Sequence, residues 1–300
     1  MGALRRLRAD YLTTLKAPEV EETLDLVLYR PLAYLFVQAV RLTPITPNQI
    51  TVTSIGVGLA AGYLFWLGTQ ASLLWGAVLV LVFNVLDCAD GMLARVKQMS
   101  SPFGYVLDGL GDYLGTLAMA VGIGHAVAMR HPQHLLWWSL TLAAAISFTW
   151  WCSVVEGMRL EWMRRIYGRR QDRARELADL VDAAAQWRRD GSHRFERLVV
   201  GAYVIYVRLW EGRGARDRSE SREDSLPVEV WAEVNRPLLR LAVASGPTMQ
   251  LTLIIVTAAL NRPEWLLWLA VTVSNAWAVG VLLTRFVVRR RLLAQPAAEV

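Results

Sequence analysis

The chain has 300 residues, 54% of them hydrophobic, with 13 tryptophans and a mean hydropathy of +0.31. That apolar share exceeds the roughly 45–50% of soluble domains, which excludes an ordinary water-soluble enzyme and predicts an all-α, polytopic integral membrane protein with about six transmembrane helices. The formal charge of +6 and pI near 9.6 come almost wholly from arginine. Beside so much apolar sequence they suit cytoplasmic loops near anionic lipid, and no nucleic acid partner is expected.

The N-terminus, MGALRRLRAD, has basic residues but no apolar core or small-residue cleavage site behind them, so it does not read as a cleaved signal peptide. Glu19, Glu21, Glu22 and Asp25 precede an apolar stretch, Leu26 to Val40, interrupted by Tyr29-Arg30-Pro31. It is too short and too charged to span, which predicts an amphipathic helix lying at the cytoplasmic interface. Thr46 to Asn48 form a turn and cap, and the first span runs from Ile50 to Gly68. Gly58 and Gly62 within it are read as a close helix-packing pair.

The second span begins near Leu73 and leads into residues 84–116, where four aspartates, an arginine and several glycines interrupt apolar sequence. Ionisable groups at membrane depth are costly and usually functional. Asp87 and Asp90 are three residues apart and Asp108 and Asp112 four apart, so each pair faces one way on a helix. Between them Ser100-Ser101-Pro102 ends one helix near Met99, and two antiparallel helices would bring both pairs to one membrane face. Carboxylates without nearby His or paired Cys form an all-oxygen set, suited to Mg²⁺, Mn²⁺ or Ca²⁺ rather than zinc. Two such ions would need further anionic oxygens, which a diphosphate supplies. Cys88 and Cys152 are the two cysteines and imply no disulfide framework; Cys88 reads as a small packing residue.

These residues read Asp87-x-x-Asp90-Gly91-x-x-Ala94-Arg95, then eight residues, then Gly104-x-x-x-Asp108-x-x-x-Asp112. The pattern resembles, without departure, the signature of the CDP-alcohol phosphotransferase family. Thr46 to Thr51 resemble the segment that opens the family's first membrane helix. The resemblance implies transfer of a substituted phosphoryl group from a CDP-linked donor to an alcohol acceptor with release of CMP, using Mg²⁺ or Mn²⁺, two ions in all. It makes Asp87, Asp90, Asp108 and Asp112 the metal residues and Asp112 also the general base. Gly91 and Ala94 would line the nucleotide site. Arg95 would either bind phosphate or orient an aspartate. Gly104 serves either turn formation or nucleotide contact, and Asn48 and Thr51 either reach the nucleotide or cap their helix.

The third span runs from Tyr105 to Val127 and the fourth from Leu135 to Val155, where Trp137, Trp138, Trp150 and Trp151 read as interfacial belts. Arg159 to Arg197 is charged and helical in composition, Leu198 to Trp210 suits an interfacial or re-entrant helix, and residues 212–225 form a polar loop. A fifth span, Leu238 to Leu260, kinks at Ser245-Gly246-Pro247, and a sixth runs from Trp265 to Val288. The chain thus divides into an interfacial N-terminal segment (1–46), a membrane core bearing the motif (47–157), a basic cytoplasmic insertion (158–236), the last two membrane helices (237–291) and a tail (292–300).

Arginine-rich connections alternate with connections holding only Arg130 and Arg262. Both termini and the motif therefore face the cytoplasm, in a cell inner membrane or another cytoplasm-facing membrane. The expected reaction belongs to phospholipid biosynthesis, with CDP-diacylglycerol as donor; a transferase of CDP-choline or CDP-ethanolamine type acting on a diglyceride is the alternative. A divalent-cation transporter is a different class, which would need polar residues spread over several spans. Membrane lipid is a partner, and the reading leaves room for a homodimer. Arg159, Arg164, Arg236 and Arg240 stand where the chain meets the cytoplasmic face and either bind an acceptor phosphate or anchor the helices.

Overall fold

Pro47, Pro102, Pro247 and Pro263 each stand in the first turn of a helix, where proline's missing N–H has no intrahelical partner to lose. The computed structural model describes residues 11, 17, 19–99, 101–168, 173–189, 200–201, 203–204 and 227–294, and all regular structure among them is helical. A π-helical turn, Asp25–Tyr29, leads into α1 (Arg30–Val40). Then follow α2 (Pro47–Leu67), α3 (Gln70–Lys97), α4 (Pro102–Arg130), α5 (His134–Tyr167), α6 (Arg173–Arg189), α7 (Val228–Val243), α8 (Pro247–Ala259), α9 (Pro263–Leu269) and, through a second π-helical turn, α10 (Asn275–Ala294).

Six stretches are long and apolar enough to cross a membrane: α2, α3, α4, α5, the pair α7–α8 and the run from α9 through α10. They correspond to the six expected spans. Many of their large apolar side chains, among them Trp75, Leu117, Val279 and Leu283, point outward, as lipid-facing residues do. The break between α7 and α8 falls at Ser245-Gly246, as the kink was expected to. α5 continues to Tyr167, three turns beyond the apolar stretch that suggested it.

The first span is the hub. α2 packs along both α3 and α4, so the two motif helices lean on a shared neighbour rather than on each other along their length. Small residues make this possible. A Cβ on Gly58 would meet Gly115 at 3.0 Å, one on Gly62 the Ala118 backbone at 2.6 Å, and one on Gly122 would collide with the Gly62 carbonyl. Close approach through small residues substitutes for the hydrophobic drive that lipid removes. Gly122→Val is therefore expected to destabilise the bundle by about 1–3 kcal/mol through overpacking, read as a lower unfolding temperature in detergent. Gly280→Ala, where a Cβ meets nothing within 4 Å, serves as the neutral control.

Trp137 and Trp151 are buried rather than arrayed at the lipid boundary. Trp137 stacks on His131 at 4.5 Å, and the Trp151 indole N–H donates to the Ser245 carbonyl at 3.0 Å, tying α5 to the kink. Arg130 and Arg262, the exceptions in the arginine tally, are engaged locally: Arg130 donates to Asn261 Oδ1 (2.7 Å) and the Gly68 carbonyl (3.0 Å), and Arg262 pairs with Glu264 at 3.6 Å. The expected helix at 198–210 lies outside the described residues except at four positions; of these Val200, Tyr203 and Val204 pack with Leu180 of α6 against Val106, at the start of α4.

Candidate active site

The motif forms at the junction of α3 and α4. α3 ends at Lys97 because Gln98 turns left-handed (φ 53°), and its N–H bonds back to the Arg95 carbonyl at 3.3 Å. α4 starts afresh at Pro102 with Ser101 as N-cap, its Oγ accepting from the Gly104 N–H at 3.0 Å. Asp87 and Asp90 therefore lie in the last turns of one helix, Asp108 and Asp112 in the first turns of the next. Lys97 fixes this end of α3, donating to the carbonyls of Thr43 and Ile45, both at 2.7 Å, in the loop before α2.

Asp87, Asp90 and Asp108 bring carboxylate oxygens to within 4.8 Å of one another. Asp112 is exposed and stands within hydrogen-bond reach of Asp87. Carboxylates this close cannot all carry charge without compensation, by protons or by a cation. The donors are oxygen throughout, so the set fits a hard divalent ion.

Asp90 is buried and accepts from the Thr51 hydroxyl at 2.6 Å. The cap of α2 is Thr46, whose side chain accepts from Gln49 N–H while Gln49 reaches back. Capping is thus not the work of Asn48 or Thr51, and Thr51 serves an aspartate. Asn48 Oδ1 lies over Gly104, 2.8 Å from where a Cβ would stand, so Gly104 is small because α2 presses on it. Gly91 by contrast is open: a Cβ there would meet nothing closer than the Arg95 guanidinium, at 3.6 Å. Thr51→Val removes the hydroxyl bond to Asp90, an interaction with a charged group worth about 1.5–3 kcal/mol. Turnover is expected to fall about tenfold or more, with Thr51→Ser restoring it and unfolding temperature little changed.

A second polar cluster flanks the motif, and here the sequence reading missed its significance. Glu22 is 2% exposed, accepts from Arg159 Nη2 at 3.1 Å and from the Met249 N–H at 3.1 Å, and presses on Gly246. It caps α8 from a distance, because Gly246 has no side chain to do so. Asp25 accepts from the Thr248 hydroxyl at 2.9 Å, and Tyr29 OH pairs with Thr252 at 2.8 Å. Burial pushes Glu22 up to about 7, against the opposing pull of Arg159, and raises Asp25 likewise. The signal was present: Glu22, Asp25, Tyr29, Ala33, Val37 and Val40 follow helical spacing, and the last four are buried apolar residues. Asp25 shares that face and is buried with it.

Of the four arginines expected at this face, Arg159 is paired with Glu22 and Arg236 lies 5.8 Å from the Trp162 ring; Arg240 is exposed.

With this geometry in place, comparison with known proteins places the motif. Residues 44–169 match the family model described as CDP-alcohol phosphatidyltransferase. The segment that holds the aspartates is a CDP-alcohol phosphatidyltransferase domain. Relatives of this domain include the phosphatidylinositol phosphate synthase of Corynebacterium glutamicum, 32% identical over 121 residues, 40% of this chain and 52% of that protein. The ceramide phosphoethanolamine synthase of Drosophila melanogaster is 34% identical over 130 residues, 40% of this chain and 33% of that protein. The CDP-diacylglycerol–inositol 3-phosphatidyltransferase of the same fly is 31% identical over 104 residues, 35% and 43% of the two chains. The chain thus spans about half or less of the length of these relatives. Glu22 and Asp25 lie upstream of the phosphatidyltransferase domain.

Proposed function

We propose that this protein transfers a phosphatidyl group from CDP-diacylglycerol to an alcohol, releasing CMP, at the cytoplasmic face of a membrane. The observation that carries the reading is the convergence of Asp87, Asp90 and Asp108 within 4.8 Å beside an open Gly91, in a segment matching the phosphatidyltransferase family. Asp87, Asp90, Asp108 and Asp112 would hold two Mg²⁺ or Mn²⁺ ions. Such ions neutralise a diphosphate and stabilise charge on a leaving nucleotide.

The chain's own residues supply the rest. Thr51 holds the Asp90 carboxylate in one orientation. The space over Gly91 and Ala94 admits the cytidine, and Arg95, whose guanidinium lies beside Gly91, faces the phosphates. Asp112, exposed at the edge of the cluster beside Asp87, takes the proton from the acceptor hydroxyl as its oxygen attacks phosphorus and the bond to CMP breaks. Gly104 and Asn48 keep α2 against the second half of the motif. Orientation follows the arginine asymmetry, sharpened by the engagement of Arg130 and Arg262 at the opposite ends of the spans.

The test is CMP release by purified protein given CDP-diacylglycerol, a panel of alcohols and Mg²⁺ or Mn²⁺, with EDTA as control. Metal-dependent release that needs an alcohol supports the reading. Release from CDP-choline or CDP-ethanolamine with a diglyceride, and not from CDP-diacylglycerol, would replace it by the alternative transferase, which the likeness to a ceramide phosphoethanolamine synthase keeps in play. Divalent-ion flux into vesicles without CMP release would point to a transporter.

A further inference from the structure

We propose that Arg30, held by Glu21, is a positioning residue of the donor site: beside Arg95 it keeps the flank of Gly91 positive, so that the diphosphate of the CDP-linked donor is held there. The inference rests on the transferase reading and adds to it a residue outside the matched segment, since Arg30 lies upstream of residue 44. Position is the first support. α1 lies along α3, where Ala33, Tyr34, Val37 and Val40 share a buried cluster with Leu86, Ala89, Met92 and Leu93, and Cys88 packs against that cluster. Arg30 opens α1, one turn before Ala33 and Tyr34, and is within electrostatic range of Cys88 and Arg95. Cys88, Gly91 and Arg95 follow one another on α3 at i, i+3 and i+7 and so share a face. The Arg95 guanidinium lies over Gly91, 3.6 Å from where a Cβ would stand. Arg30 therefore stands beside the stripe that carries both the space for the nucleotide and the arginine that faces its phosphates.

Charge is the second support. Arg30 Nη2 donates to Glu21 Oε2 at 2.7 Å, and the two side chains are 11% and 8% exposed. Among the described residues no acceptor meets Arg30 Nε or Nη1. Burying a guanidinium with two of its nitrogens unmet is costly, and one carboxylate oxygen covers only an edge of it. Two guanidinia in range of each other also repel, and an anion relieves both. The neighbouring carboxylates are committed elsewhere. Asp90 belongs to the metal group, and Glu22 is taken by Arg159. Asp25, also in range of Arg30, accepts from the Thr248 hydroxyl and is pushed by burial toward its neutral form. That leaves Glu21 to offset two guanidinia, and a diphosphate supplies the missing anion. Anchoring α1 does not account for the pair, because the apolar cluster and the Lys97 bonds to the Thr43 and Ile45 carbonyls already hold that helix and its exit against α3.

The experiment uses the full chain in detergent with saturating Mg²⁺ or Mn²⁺. It reads CMP release from CDP-diacylglycerol, and inhibition by CDP and by cytidine, which share the base and differ by the diphosphate. Arg30→Gln should raise KM for CDP-diacylglycerol and Ki for CDP by about tenfold, the scale of one unit charge in a partly buried site. kcat and the Ki of cytidine should stay near the parent's, and Arg30→Lys should retain most of the CDP affinity. Glu21→Gln should move the CDP constant the other way, tightening it by about threefold or more. Opposite signs are decisive, because an ion pair that only anchored α1 would lose activity on removal of either partner. Changes of the same sign in the two variants overturn the proposal, as does equal weakening of cytidine and CDP in Arg30→Gln. An unchanged CDP constant with a lost response to phosphatidylglycerol in the micelles also overturns it, assigning Arg30 to a lipid headgroup. If Arg30→Gln does not fold, the double variant with Glu21→Gln leaves neither charge buried and unpaired; its CDP constant, compared with that of Glu21→Gln, decides on the same terms. A parent that neither releases CMP nor binds CDP overturns the transferase reading itself, a result distinct from CDP binding that ignores Arg30.

Discussion

Asp90→Asn is expected to reduce CMP release by about 10³-fold or more. Metal-assisted stabilisation of a transferring phosphoryl group is worth several kcal/mol, and each 1.36 kcal/mol is about tenfold. The substitution keeps the volume of the side chain and an acceptor for the Thr51 hydroxyl, so packing around this buried position should survive. Stability offers a second readout with the opposite sign. Three carboxylates within 4.8 Å repel one another unless protonated or bridged by a cation, so Asp90→Asn without metal should unfold at a higher temperature than the parent without metal. Mg²⁺ or Mn²⁺ at about 100 times its dissociation constant should stabilise the parent by about 2.7 kcal/mol and the variant far less. Asp87→Asn and Asp108→Asn should behave alike. Near-parental turnover in two of the three would remove the metal-site reading.

Asp112→Asn should separate transfer from binding. Asp112 is exposed and joins the group of three at its edge, within hydrogen-bond reach of Asp87. If it is the base, its loss should cost roughly 10²–10⁴ in transfer, while CDP-diacylglycerol and metal still bind close to parental affinity. The competing account makes Asp112 one more ligand, and under that account raising Mg²⁺ or Mn²⁺ should rescue turnover. Rescue to near the parent's rate at saturating metal would leave Asp112 only its coordinating role. A donor-binding measurement beside a metal titration of CMP release decides between the two.

Much of this protein is legible in its sequence, for physical reasons. A bilayer demands long uninterrupted apolar helices, so span number follows from hydropathy alone, and all six spans appear where the apolar runs lie. Helical spacing likewise announces the aspartate pairs, because residues three and four apart share a face whatever the surroundings. Proline and serine at 101–102 mark the break between the two motif helices, since proline is tolerated in a first turn and disfavours helix just before it.

What the sequence could not decide was partnership between distant residues. Thr51 to Asp90 spans 39 positions, Glu22 to Arg159 spans 137 and Glu22 to Met249 spans 227. No local propensity encodes such pairs, and an acidic cluster ahead of an amphipathic helix reads as a solvated face until the fold buries it. Nor did the short turn between α3 and α4 reveal that α2 is wedged along both, which depends on the depth of approach at Gly58, Gly62, Gly115 and Gly122. Composition and period thus settled the membrane helices and the aspartates they carry. Which side chains orient those aspartates, and which carboxylate restrains Arg159, was decided by close packing in three dimensions, where a missing Cβ lets one backbone approach another and a buried charge must find its partner.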